Sequence, residues 1–579
     1  MSMASALRLL RNWLGGDTPR YSIRQITAWL FNEMRHHWLQ AALNLTIGIL
    51  IVLLDLAFVW CSKLIIDIAT GQTTRFTFTQ AAIMLIGSVI INIALSYCGR
   101  WIKAILGVRA QNDMQRRIFL HLLHSQWSGM EQFHTGDLLN RIEKDVSQIV
   151  AFLTESLPAF VTAIVRFTGA FLFLFLIDRT LAVAIIVILP FFLLLSRFYV
   201  GRMRTFSRAI RQSDSEIQST IQESLQHNIV IKALYRLSLI EDRLLRLQGR
   251  LQHQIRTRTR FSSLSAAIMQ IGFSAGYLFA FLWGASRLSQ GLITYGTLIA
   301  FVQLVGQIQA PLRNLTGYIP LLITTLTSAE RIIDLHRVPT EEQTPDSSLL
   351  TPHSSLHTPH SSLNTAPSVV LNSVSFRYDG HRQILNNLSC TFPPGSATAV
   401  MGPTGAGKTT LVRLLLGLVS PLTGSITLRW PDGHTLPVTS ATRPYFCYVP
   451  QGNTLLSGSI YGNLLLGNPQ ATEQQMINAL RVASADFVLT LPGGIHTRVG
   501  EQGYGLSEGQ AQRICIARCL LQQGPIIVLD EATSALDVAT EERILTAIRA
   551  TYPHKTLIII THHLAVVQHT SAEIHLTHH

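Results

Sequence analysis

At 579 residues the chain is too long for one hydrophobic core, so at least two domains are expected. Hydrophobic residues make up 48% and charged residues only 14%, a balance that points to a membrane protein. Lys and Arg outnumber Asp and Glu by 46 to 33, a net charge of +13 that nucleic acid, a membrane surface or basic cytoplasmic loops could each explain. The six cysteines include no C-x-x-C pair, so neither a zinc ribbon nor a thioredoxin-like centre is suggested.

In chain order, Met1 to Arg20 carries basic residues but no early apolar core, and a cleaved signal peptide is not expected. Ile23–Leu39 mixes apolar and basic residues and reads as an interfacial helix on the cytoplasmic surface. A membrane-spanning helix needs about 20 mostly apolar residues. Six segments are read as spans: Ala41–Trp60, Ala81–Trp101, Leu157–Ile177, Leu181–Phe198, Ser265–Ser286 and Tyr295–Ile323. The third and fourth are separated only by Asp178-Arg179-Thr180 and should form a hairpin.

The connections after spans two and four are long and basic; Arg197 to Arg260 alone holds thirteen Lys or Arg. The positive-inside rule places them, and both termini, in the cytoplasm of an integral membrane protein, expected in a bacterial inner membrane. Orientation therefore accounts for most of the charge, and no aromatic-studded basic platform for nucleic acid is present. Neither long connection contains proline, so each span is expected to run on as a long helix beyond the lipid. Within the spans, Asp55 and Arg166 are exceptional, because a charge there costs about 2.5–3.5 kcal/mol on insertion scales. They either pair with each other or line a cargo route. Gln303 and Gln307, with Gln309 and Arg313, add a polar stripe to span six that suits an amphipathic cargo, although helix packing in lipid uses such residues too.

From Thr340 to Pro367 the composition changes, and three seven-residue units begin at Thr344, Thr351 and Thr358. A proline in each unit excludes a coiled coil and leaves a polar, disordered linker. The expected organisation is a helical membrane domain at 1–339, the linker at 340–367, and a soluble α/β phosphate-loop domain at 368–579. Membrane lipid is thus one expected partner.

The soluble part carries the chemistry. Strand Ala397–Met401 leads into Gly402, Pro403, Thr404, Gly405, Ala406, Gly407, Lys408, Thr409 and Thr410, a phosphate-binding loop opening a helix. Glycines there let backbone N–H groups close around phosphate, Lys408 faces the β- and γ-phosphates of ATP, and the Thr409 hydroxyl binds Mg²⁺. A second apolar strand, Ile526–Leu529, ends in Asp530 and Glu531. Asp530 is placed to hold Mg²⁺, and Glu531 to polarise a water attacking the γ-phosphate.

Between these lies Leu506-Ser507-Glu508-Gly509-Gln510, which resembles the Leu-Ser-Gly-Gly-Gln signature of the ATP-binding-cassette family. Tyr378, Gln451, Ser534-Ala-Leu-Asp537 and His562 follow the family order, and Thr135-Gly136-Asp137-Leu138 with Pro311-Leu312 resemble its exporter subgroup. The resemblance implies that Tyr378 stacks on adenine. It implies that Gln451 touches Mg²⁺ or the attacking water, and that His562 contacts the γ-phosphate. Ser507 and Gly509, with Gln510 and Asp537, are implied to complete the ATP site held by a partner chain. It also implies short coupling helices near Ser128–His134 and Asn228–Ala233, docked on the cassettes. Glu508 departs from the family by replacing the first signature glycine; a carboxylate there either repels the γ-phosphate or points away. The implied function is ATP-driven export of an amphipathic drug-like compound, lipid or peptide by alternating access in a homodimer. Alternatives are one subunit of a heterodimeric exporter, or an ATP-gated channel or regulator on the same scaffold.

Overall fold

The computed structural model describes residues 21–72, 76–341, 366–378, 383–500, 503 and 505–577. The N-terminal segment and the repeat linker lie outside them. The chain divides into two compact units, Met1–His121 with His134–Arg337, and Leu122–Phe133 with Val338–His579.

The first unit is helical. Ser22 opens helix Ile23–Met34 with a reciprocal capping box to Gln25. Long helices follow at Trp38–Ala69, Phe78–Leu123, Leu157–Ile177, Arg179–Gln226, Leu237–Ser289 and Tyr295–His336. The proline-free stretches thus continue as helix well past the apolar segments. Among the described residues, four helical stretches are long and apolar enough to cross a bilayer. On Phe78–Leu123 the side chains of Ile83, Ile86, Ile90, Ile93, Tyr97 and Trp101 recur every three or four residues and are all exposed, a stripe suited to lipid.

Packing between these helices relies on small residues. Ala170, Ala182, Ala280 and Ala300 are fully buried beside Phe301, Leu304 and Ile308. A Cβ on Gly284 would lie 2.5 Å from Leu298, and the Gly296 N–H reaches the buried Asp67 carboxylate at 3.1 Å. The expected hairpin turns at Asp178 alone. Its carboxylate caps the next helix through the Thr180 and Leu181 N–H groups and accepts the Trp283 indole N–H at 3.2 Å.

The second unit holds two sheets. Strands β1 (Ser368–Phe376), β2 (Leu385–Phe392), β4 (Thr423–Arg429) and β5 (Thr435–Pro437) form an antiparallel sheet in the order β2-β1-β4-β5. Strands β3 (Ala397–Met401), β6 (Phe446–Val449), β9 (Ile526–Asp530), β10 (Thr556–Ile560) and β11 (Ala572–His575) form a parallel sheet in the order β11-β3-β10-β9-β6. Two-residue strands β7 (Gly458–Ser459) and β8 (Arg498–Val499) pair separately. Every residue of β3, β9 and β10 is buried, as expected for parallel strands covered on both faces.

Residues 122–133 belong to this unit through backbone bonds: Glu341 N–H to His124 O at 2.8 Å and Gln126 N–H to Pro339 O at 2.9 Å. They include a short helix, Trp127–Met130, which overlaps the start of Ser128–His134, the stretch expected to couple the membrane domain to a cassette. The other such stretch is a six-residue helix, Asn228–Ala233, in the first unit. Its neighbourhood exposes Ile229, Val230, Leu234 and Tyr235, the last 90% exposed.

Candidate nucleotide site

The parallel sheet concentrates the candidate residues. Strands β3, β10, β9 and β6 are consecutive neighbours, and their carboxyl ends run into Gly402, His562, Glu531 and Gln451 respectively. Ligands of parallel α/β sheets bind beyond the carboxyl ends of strands, where the following loops converge.

Side chains meet there. Lys408 donates to the Gly402 carbonyl at 2.8 Å, and its ammonium lies 3.5 Å from Glu531 Oε1. The Gln451 amide donates to Glu531 Oε2 at 2.7 Å. Glu531 adopts φ 48°, a backbone region that costs a non-glycine residue about 1–3 kcal/mol and persists where surroundings over-determine it. Here its N–H is held by the Ile560 carbonyl at 3.0 Å. Tyr448 donates to Asp530 at 3.4 Å. Burial, then the neighbouring Glu531 charge, pushes the Asp530 carboxyl up to about 6, against the Tyr448 hydrogen bond and the Lys408 charge.

These residues fit ATP and Mg²⁺. Gly407 sits at φ 93° as the N-cap of helix Lys408–Leu415, and a Cβ on it would come within 2.8 Å of Ile384. A Cβ on Gly402 would lie 2.5 Å from the Leu576 carbonyl. The loop is thus a cradle only glycines leave open, at a helix N-terminus that favours an anion. Asp530 beside Glu531 puts two carboxylates where a cation would lower both their charge and its cost.

The remaining candidates sit elsewhere in the unit. Ser507 caps helix Glu508–Leu520, its hydroxyl accepting from Gln510 N–H while Gln510 Oε1 accepts from Ser507 N–H. Glu508 is exposed at the first helical position, where a negative charge complements the helix dipole. A Cβ on Gly509 would meet the Ala535 carbonyl at 2.8 Å, so this glycine permits close packing on the Ser534–Asp537 loop. Asp537 caps helix Val538–Thr551, and hydrogen bonds from Thr540 hold its carboxyl below the usual range. His562 is exposed, its ring edge-on to His563 at 4.4 Å.

Tyr378 is tied to residues that carried no motif. Arg413, on the phosphate-loop helix, donates from Nη1 to the Tyr378 hydroxyl at 2.7 Å and to Glu131 at 3.0 Å. Its guanidinium also lies 5.8 Å from the Trp127 ring centroid. Gln512, buried, donates to Ser534 and accepts from Ala535 N–H, fixing the same loop that Gly509 approaches. The only sequence signal for Gln512 was a polar residue at an inward helical position.

In the first unit Asp55 and Arg166 pair at 2.6 Å, each about one-third exposed. Asn92 donates to the second Asp55 oxygen at 2.9 Å, and Gln307 to the Asp55 backbone carbonyl at 3.3 Å. The side-chain oxygens of Gln303 and Gln307 are buried, with no hydrogen-bond partner among the described residues.

Residues 42–312 match the ABC transporter transmembrane region, and residues 385–534 match the family described as ABC transporter. Over 481 residues the chain is 29% identical to a Mycobacterium bovis protein named fatty acid ABC transporter ATP-binding/permease protein, spanning 80% of this chain and 70% of that one. It is 27% identical over 576 residues to ABC transporter B family member 4 of Dictyostelium discoideum, spanning 97% and 69%. Among solved structures, a bacterial Atm1-family ABC exporter with ATP bound superposes with a TM-score of 0.74 at 25% identity, over 94% of this chain and 93% of that one.

Proposed function

Because this chain belongs to the ABC transporter family, as an integral membrane ATP-binding exporter subunit whose ATPase is coupled to transport, we propose that two copies form a homodimer that exports an amphipathic molecule by alternating access. The observation that carries the reading is the meeting of Lys408, Gln451 and Glu531 beyond neighbouring parallel strands, in a chain that also crosses the membrane. In this reading each chain contributes six spans, both termini are cytoplasmic, and the membrane is a bacterial inner membrane. The domains divide at 1–339, 340–367 and 368–579.

Tyr378 stacks on adenine, and the N–H groups of the loop Gly402–Thr410 hold the phosphates with Lys408. Glu531 orients and polarises the attacking water, and His562 holds the γ-phosphate in line. Thr409, Gln451 and Asp530 would hold Mg²⁺, which when bound neutralises charge on the β- and γ-phosphates. Ser507, Gly509, Gln510 and Asp537 act on the ATP of the other copy, so that nucleotide closes two cassettes and hydrolysis releases them. The exposed Asn228–Ala233 helix docks on the partner cassette, and the Trp127–Glu131 segment reads the chain's own. Asp55, Arg166, Gln303 and Gln307 form the polar part of the cargo route. The fatty acid named for the mycobacterial relative is one amphipath of the proposed class.

The decisive experiment measures ATP turnover of the full chain in lipid nanodiscs, with and without candidate amphipaths, beside Glu531→Gln. Stimulated turnover that falls about 100-fold or more in the variant supports the reading. Turnover unchanged in Glu531→Gln overturns the catalytic assignment. The mass of the purified chain in detergent separates a homodimer from a subunit that needs a different partner.

A further inference from the structure

Glu541 lies in helix Val538–Thr551 with only 1% of its surface exposed. A carboxylate so buried is kept only where hydrogen bonds or opposite charge satisfy it. Both its oxygens are used, and by two different loops. The Thr533 hydroxyl donates to Oε1, and His563 Nδ1 lies 3.0 Å from Oε2. Thr533 stands two residues beyond Glu531, in the turn that follows β9. His563 stands next to His562, in the loop that follows β10, and its own N–H is held by the Thr561 hydroxyl at 3.0 Å. One buried side chain therefore joins the two loops that carry the candidate base and the candidate phosphate-contacting histidine. The backbone bond from Glu531 N–H to Ile560 O joins the same two strand ends, which leaves the positive-φ turn at Glu531 braced from both sides.

We propose that Glu541 is a positioning residue for ATP hydrolysis, clamping the Glu531 turn to the His562 loop through Thr533 and His563. This rests on Glu531 and His562 having the roles assigned above. A residue that merely fastened its helix to the sheet would need only one loop. Bridging both makes their relative placement depend on Glu541, and hydrolysis is sensitive to such placement where nucleotide binding is not. Among the described residues, the hydrogen bonds of Tyr378 and Lys408 run to Arg413 and Gly402, not to the clamp's tethers Thr533 and His563.

The test compares His563→Asn, which keeps a donor near the place of Nδ1, with His563→Leu, which deletes it at similar bulk. Turnover of the full chain in nanodiscs is measured against ATP concentration, with thermal unfolding of each variant alongside. The clamp predicts that kcat falls about 10-fold or more in His563→Leu, with KM for ATP within about 2-fold, while His563→Asn stays within about 3-fold of the parent. Glu541→Gln should lose kcat as His563→Leu does. Thr533→Val against Thr533→Ser repeats the comparison from the other tether and decides the matter if His563→Leu does not fold. Equal kcat in the donor-keeping and donor-deleting variants, or a loss confined to KM or to thermal stability, overturns the clamp. Retained turnover in Glu531→Gln instead overturns the underlying catalytic assignment.

Discussion

The two units treat charge in opposite ways. In the second unit, carboxylates and a lysine are crowded beyond the strand ends and left in tension: Asp530 is buried beside Glu531, whose backbone is strained. In the first unit, Asp55 and Arg166 cancel each other, and Asn92 takes up the remaining Asp55 oxygen. In the proposed reading, nucleotide and cation would relieve the crowded charge of the second unit, whereas charges in a low-dielectric span must be satisfied within the protein itself. The contrast is between a cluster with Asp530 held under electrostatic strain and a pair already nearly neutral.

That difference is sharpest at Asp530. A carboxyl whose folded value is raised contributes its full stability below its ordinary value of 3.8 and loses it as pH rises through about 6. Asp530→Asn should therefore stabilise the nucleotide-free, Mg²⁺-free protein at pH 8 by up to about 3 kcal/mol. The gain should shrink below pH 6 and vanish near pH 4, as read by thermal unfolding across pH. No gain at pH 8 would mean that the second unit is not held in electrostatic tension.

The first unit predicts the reverse response to losing one charge. Arg166→Leu should destabilise the detergent-purified protein by about 1–2 kcal/mol, less than for a fully buried pair because both groups are about one-third exposed. Asp55→Asn added to Arg166→Leu should restore most of that loss, since the unpaired carboxylate is the cost. If the double variant is no better than the single one, the pair is not a self-neutralising device.

The smallest effect concerns the signature helix. Glu508 at its first position should contribute about 0.3–1 kcal/mol through the helix dipole. Glu508→Gly should lower thermal stability by that order, more at low salt, and leave ATP turnover near that of the parent. A large rise in turnover would instead mean that the carboxylate opposes the γ-phosphate.

Much of the second unit was readable because its chemistry lies in short runs. The phosphate loop, the Asp530-Glu531 strand end and the Ser507–Gln510 signature each declare themselves within a few residues. Four of the span segments were readable for a different reason, since lipid demands apolar length. Less was visible where a residue acts through a distant one. Nothing in the sequence singles out Arg413, 35 positions from Tyr378 and 282 from Glu131, yet it touches both. Glu541 looked like an ordinary helix carboxylate until the fold placed Thr533 and His563 on its two oxygens. Asp55 and Arg166 were noticed for their cost in a span, but whether they met was beyond a linear reading.

By itself the sequence determined the chemical vocabulary: glycines that admit a phosphate, a lysine and carboxylates in order, and apolar lengths that match a bilayer. Tertiary structure alone decided which of these groups meet. Local steric and solvation rules act within a few residues, so they are written in the chain order. The strand order β3-β10-β9-β6, which brings Gly402, His562, Glu531 and Gln451 to one edge, arises from pairing between segments up to 160 residues apart, and no local rule encodes that.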